Sequence, residues 1–228
     1  MASAATFGGR MAGMLDGTQE FEAGQSSSKR GRFIVIDGVD GCGKSTQAEL
    51  LRRALGVPAE LHLREPGSTL LGEAVREILL SQRFEIGAEV ETLLFAASRR
   101  QMLDQLVSPA LKGGADVVCE RFNSSTFAYQ AVAGDLDPAL VVQLLRDWAS
   151  QPGPDLVLIL DVDVELAASR RGEPGDRIEA KGLEFQRRVA LGYRRYAEEF
   201  EAARLIDGSG SSAEVHDRIL AEVQRVGV

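Results

Sequence analysis

The sequence predicts an α/β protein in which a parallel sheet carries helices on both faces. Three observations carry that expectation. Short apolar, β-branched runs alternate along the chain with longer segments of helical period, and strands joined through helices lie parallel with both faces covered. A glycine loop, Gly38-Val39-Asp40-Gly41-Cys42-Gly43-Lys44-Ser45, stands between the first strand and the first helix, where a phosphate-binding loop must stand. The length of 228 residues and hydrophobic content of 44% suit one domain with a sizeable core, and no internal repeat marks a second.

Each element has its own warrant. Residues 33–37 (FIVID) form the first strand, apolar until the closing aspartate. Residues 45–55 bring Leu50, Leu51, Ala54 and Leu55 to one helical stripe. Residues 60–64 (ELHLR) alternate as a second strand, which Glu65-Pro66-Gly67-Ser68 breaks. Residues 70–81 have helical period, and 88–112 form a long helical stretch with an interruption expected near Pro109. Gly113-Gly114 stops it, and 115–119 (ADVVC) make the third strand. Helices at 126–133 and 138–150 precede the turn Gln151-Pro152-Gly153-Pro154. The fourth strand is 156–161 (LVLILD), followed by a helix at 165–171 and a charged loop at 172–176. A long amphipathic helix at 183–203, a short fifth strand at 205–207 and a final helix at 213–226 complete the chain.

Composition narrows the function. A formal net charge of −8 argues against non-specific nucleic-acid binding, and no apolar run has the length of a membrane span. The two cysteines, Cys42 and Cys119, have no metal-ligand spacing and fit a reducing compartment, the cytoplasm. Residues 1–31, rich in Gly, Ser and Ala without periodicity, read as a flexible extension ahead of a catalytic domain at 32–228; Met11 and Met14 are alternative first residues.

In the glycine loop, backbone N–H groups would curl around phosphate oxygens at the positive end of a helix. Gly38, Val39, Asp40, Gly41, Cys42, Gly43, Lys44, Ser45 and Thr46 are therefore the expected segment for binding a nucleoside triphosphate such as ATP. Lys44 would reach the β- and γ-phosphates, and Ser45 would ligate Mg²⁺.

Four further stretches accompany this loop: REPGST at 64–69, LLFAASRR at 93–100, ERFNSSTFAYQ at 120–130 and DRIEAKGLEFQRRV at 176–189. In this order, from about Phe33 to the C-terminus, they resemble the thymidylate kinase family of P-loop nucleoside monophosphate kinases. The resemblance implies the P-loop NTPase fold with five parallel strands and a short lid. It further implies transfer of the ATP γ-phosphoryl group to dTMP with Mg²⁺, and a homodimer. By the same resemblance Asp40 would bond the acceptor's 3′-hydroxyl, Phe95 would stack on thymine and Arg99 would bond its carbonyl. Pro66 and Arg76 would line the pocket, Thr126 and Gln130 would meet the base edge, and Tyr129 would lie under the deoxyribose. Arg121 would grip the acceptor phosphate and belong to the catalytic set with Lys44 and Asp40. Glu120 stands where aspartate is usual and would serve Mg²⁺ directly or through water, and Ser68 stands where glycine is usual. Asp207 and Gly208 match the loop that passes the adenine.

Some members carry a basic residue directly after the loop aspartate. This chain has Gly41 there, which implies the bacterial type whose cation comes from the lid. Arg170, Arg171 and Arg177 are the candidates, with Arg170 and Arg177 preferred as catalytic. The alternatives are another deoxynucleotide or deoxynucleoside kinase, or a nucleotide-dependent assembly ATPase. An N-K-x-D base-reading motif of switch GTPases is not present.

Overall fold

The computed structural model describes residues 30–172 and 175–227. Residues 1–29 of the expected extension, and Glu173 and Pro174 of the charged loop, lie outside the described residues. The elements are β1 (Phe33–Gly38), α1 (Lys44–Leu55), β2 (His62–Arg64), α2 (Leu70–Leu80), α3 (Ala88–Met102), α4 (Ser108–Lys112) and β3 (Val117–Glu120). They continue with α5 (Asn123–Thr126), α6 (Pro138–Trp148), β4 (Leu156–Asp161), α7 (Val164–Arg171), α8 (Gly182–Glu199), β5 (Ala203–Asp207) and α9 (Ser212–Arg225).

The five strands pair in parallel in the order β2-β3-β1-β4-β5. Every residue of β1 is buried, as a central strand covered on both faces requires. Helices α1 and α9 pack together on one face, and α5 and α8 cover the other, which is where right-handed crossovers put them. One apolar core runs through the sheet and joins Phe33, Ile36, Leu51, Phe122, Leu158 and Ile219.

The elements match the sequence in kind and differ at their ends. The long helix does not break at Pro109. It widens into a π-helical stretch at Leu103–Val107, and Pro109 then falls in the first turn of α4, where a missing N–H costs least. The helix expected at 126–133 is α5 followed by a second π-helical stretch, Phe127–Val132. β2 is shorter than expected because Ala59–Leu61 close a 3₁₀ turn. Likewise the N–H of Ala115 donates to Ala110 O at 2.9 Å, so Ala115 finishes the α4 terminus and β3 starts at Val117. The expected 183–203 helix ends at Glu199 because Ala203 pairs with Val157 in the sheet.

Candidate active site

Asp37, the last residue but one of β1, has no exposed surface. Its carboxylate accepts from the Gly38 N–H at 2.9 Å, Ser124 Oγ at 2.6 Å, Ser125 Oγ at 2.8 Å and Tyr193 OH at 2.6 Å. The carboxyl end of the central strand is thus tied to α5 and α8, and in open parallel sheets ligands bind at this end. At Gly41 φ is 85°, and any Cβ there would clash with the Ala167 carbonyl of α7. Helix α1 starts at Lys44 with no side-chain cap and no acidic residue in its first turn, so its first N–H groups remain for an anion. Lys44 Nζ donates to the carbonyls of Gly38 and Val39 at 3.0 and 2.8 Å.

Arg121 follows β3 with φ 69°, a left-handed conformation that is uncommon outside glycine. Its guanidinium ion-pairs with Asp40, donates to Ser125 Oγ at 3.2 Å and lies 5.4 Å from the Tyr129 ring centroid. Tyr129 OH donates to Asp40 Oδ2 at 2.8 Å. Burial pushes the Asp40 carboxyl up, but the charges of Arg121 and Lys44 and the Tyr129 hydrogen bond outweigh it and hold the group well below the usual range.

Beside this cluster lies a cavity lined by Asp40, Pro66, Arg76, Phe95, Arg99, Arg121, Thr126, Tyr129 and Gln130. These are all the residues expected to hold the acceptor nucleotide. Arg99 is 1% exposed. It donates to Glu65 Oε2 at 2.7 Å, Asn123 Oδ1 at 2.6 Å and Thr126 Oγ1 at 2.9 Å. Gln130 Nε2 donates to Glu91 Oε2 at 2.8 Å, which fixes which end of its amide carries the NH₂. Arg76 donates to the Pro66 carbonyl at 3.1 Å. Ser68 takes φ 66°, the conformation for which glycine is suited. Its Oγ accepts from the Arg64 N–H at 2.8 Å and donates to the Arg64 carbonyl at 3.1 Å.

A second cleft is lined by Gly41, Gly43, Lys44, Ser45, Thr46, Arg64, Glu120 and Arg170, and it shares Asp40, Glu65, Arg76, Arg121 and Glu179 with the first. A third hollow continues it past Cys42, Gly43, Thr46, Arg170 and Gly208. Gly38 and Val39 contribute carbonyls to Lys44. Asp207 does not line the hollow; its Oδ1 accepts from Ser209 N at 2.9 Å and Ser209 Oγ at 2.6 Å. In the second cleft Ser45 Oγ donates to Glu120 Oε2 at 2.5 Å. Burial pushes Glu120 up, but hydrogen bonds from His62 and Ser45 keep it below its ordinary value. Two adjacent hard oxygen donors, one of them ionised, at the rim of a phosphate loop fit Mg²⁺.

The lid arginines separate. Arg170 lines the second cleft and lies 3.5 Å from the Gly208 carbonyl. Arg171 stands close enough to lower the Asp40 carboxyl by its charge. Arg177, expected as a catalytic cation, is not brought to the phosphate loop. Its Nε donates to Leu79 O at 3.1 Å and its NH1 to Glu91 Oε1 at 2.7 Å. Glu91 is 1% exposed and a carboxylate so buried needs cationic partners; Lys181 is the other, at 3.1 Å. Sequence reasoning missed Asp37, His62, Glu91, Asn123 and Tyr193. Only Asp37 carried a signal, as the single charge in an otherwise apolar strand.

The comparisons with known proteins agree with this geometry. The family model described as thymidylate kinase matches residues 36–219. The chain belongs to the thymidylate kinase family. It is 42% identical over 193 residues to the thymidylate kinase of Fervidobacterium nodosum, covering 82% of this chain and 96% of that protein. It is 45% identical over 179 residues to the thymidylate kinase of Parasynechococcus marenigrum, covering 74% and 86%. The crystal structure of thymidylate kinase from Ehrlichia chaffeensis superposes with a TM-score of 0.70 at 30% identity, covering 86% of this chain and 99% of that one. The sheet and its surrounding helices are therefore the P-loop NTPase fold expected from the sequence.

Proposed function

We propose that this protein transfers the γ-phosphoryl group of ATP to dTMP, giving dTDP and ADP. The observation that carries the reading is convergence. Nine side chains spread from Asp40 to Gln130 line one cavity, and that cavity opens into the phosphate-loop cleft across Asp40 and Arg121. An acceptor seated there has its phosphate beside Arg121, whose planar fork suits phosphate, and close to where α1 and Lys44 would hold the donor. Alignment of the two phosphates then supplies most of the catalysis. Phe95 offers a ring for stacking on a base, and Thr126 and Gln130 offer polar atoms for its edge. Arg170 is the lid cation we assign to the transferring group, since α7 rests on Gly41 and brings Arg170 to the cleft.

Ser45 and Glu120 are the residues that would hold Mg²⁺, which would neutralise charge on the ATP phosphates during transfer. The homodimer expected from the family is supported by apolar side chains left on the surface of α2 and α3, among them Leu70 (84% exposed), Val90 (50%) and Leu93 (56%). We assign the protein to the cytoplasm, in keeping with its two free, buried cysteines; no helix among the described residues is long and apolar enough to cross a membrane.

The test is a coupled ADP-release assay with ATP, Mg²⁺ and, in turn, dTMP, dUMP, UMP, dCMP, dGMP, AMP and thymidine. Strong preference for dTMP is expected; dUMP should follow, since one methyl group is worth about 1–3 kcal/mol. Turnover with thymidine alone would make the protein a nucleoside kinase, and ATP hydrolysis indifferent to acceptor would remove the assigned roles of the cavity residues.

A further inference from the structure

Glu120 carries one more methylene than the aspartate usual at its position, and so one more rotatable bond to immobilise. The structure contains a device that does this. Strands β2 and β3 pair with His62 opposite Val118 and Arg64 opposite Glu120. His62 and Glu120 are therefore diagonal neighbours on one sheet face. Helix α1 packs over that face and presents Ser45 and Glu49, four residues apart and so on one side of the helix. The four side chains form a chain of contacts whose two ends both sit on α1. Ser45 Oγ donates to Glu120 Oε2 at 2.5 Å, His62 Nε2 stands 3.0 Å from Glu120 Oε1, and His62 Nδ1 stands 3.5 Å from Glu49 Oε2. Glu49 is in turn held by Arg52 at 2.6 Å and Arg53 at 2.5 Å. An ionised carboxylate only accepts, so Nε2 carries the hydrogen in its bond to Glu120. Both carboxylate oxygens are thus engaged, one by the helix and one by the neighbouring strand.

We propose that His62 is a positioning residue for the magnesium site: it fixes Glu120 through Oε1 so that Oε2 is kept beside Ser45 Oγ. His62 lines none of the three clefts described above, and its part is to remove the rotational freedom that glutamate adds. The inference rests on Glu120 serving magnesium, as proposed above.

The test measures metal binding directly, with Mn²⁺ as the probe, titrated into the enzyme–ATP complex and read by electron paramagnetic resonance. His62→Val suits a strand and has no donor; His62→Gln restores an N–H near the place of Nε2. Expected are an affinity for Mn²⁺ about tenfold weaker in His62→Val, at the lower end of what loss of an outer partner costs, and recovery of most of it in His62→Gln. Binding of metal-free ATP in EDTA and of dTMP should stay within about twofold of the parent. In a Glu120→Gln background, His62→Val should add no further loss, because the two act as one unit. Parent-like Mn²⁺ affinity in His62→Val, with Glu120→Gln weakened, overturns the proposal alone. Parent-like affinity in Glu120→Gln overturns the role of Glu120 and the proposal with it. Equal weakening of metal-free ATP, dTMP and Mn²⁺ would show a merely structural histidine and also overturn it. If valine prevents folding, the same comparison is made with His62→Leu.

Discussion

Arg99 lies between Glu65, Asn123 and Thr126 with 1% of its surface exposed, so its removal would leave the Glu65 carboxylate buried without its cation. Breaking a buried pair in this way costs about 3–5 kcal/mol. Arg99→Ala should therefore lose about that much in denaturant unfolding, whereas Phe95→Ala, at a half-buried cavity wall, should lose less and act mainly on the dTMP KM. Parent-like stability of Arg99→Ala would show that Glu65, which burial pushes up, has taken up a proton or found another partner. At Asp40 the folded-state carboxyl is held well below its ordinary value, chiefly by Arg121 and Lys44 against the opposing effect of burial. A depressed acid stabilises the fold above its unfolded pKa, near 3.9, and that contribution fades as pH falls through the window beneath it. Asp40→Asn should be less stable than the parent at pH 7, with the gap narrowing between about pH 4 and pH 2. A gap that stays constant in equilibrium unfolding across that range would contradict the linkage.

Among the elements, α7 and the lid segment after it divide one expected role. Helix α7 rests its Ala167 carbonyl against Gly41, and its last turn carries Arg170 to the cleft. The segment beyond it carries Arg177 to Glu91 instead. Arg170→Ala should lower kcat by about 10²–10³, the cost of losing one preorganised charge aimed at the reacting group, with the fold and dTMP affinity kept. Arg177→Ala should lower thermal stability and loosen the lid while reducing kcat less. The reverse order of kcat losses would return the catalytic cation to Arg177. The same region shows why part of the molecule was legible in the sequence and part was not. β1 could be read because burial on both faces leaves a continuous apolar run, and the glycine loop because each unusual φ asks for its residue. Phe95 and Arg99 could be read as a pair because helical spacing puts them on one face. The partner of Arg177 lies 86 residues away, and no local period announces such a contact. Helix ends misled for a similar reason: Ala203 is a good helix former, but pairing with Val157 outweighs its preference.

At the scale of the whole molecule, the cavity assigned to the acceptor, the phosphate-loop cleft and the hollow at Gly208 form one groove, joined by Asp40 and Arg121 at one end and by Gly43, Thr46 and Arg170 at the other. Each wall comes from a different part of the chain, so the groove exists only in the folded domain. A ligand spanning it should therefore stabilise that domain more than its halves do. When two fragments are joined, the second binds as an intramolecular event, and affinity rises without any new contact. A compound linking adenosine and thymidine through their 5′-positions by an oligophosphate should raise the Tm well above the shift given by ATP or dTMP alone. At a hundredfold excess over its Kd the stabilisation is about 2.7 kcal/mol, readable by differential scanning fluorimetry. A linked adenosine–guanosine compound should fall short of it, because the groove then offers the acceptor cavity the wrong base. If the thymidine compound stabilises no more than ADP does, the two clefts are not engaged together, and the assignment of the donor and acceptor to one continuous groove fails.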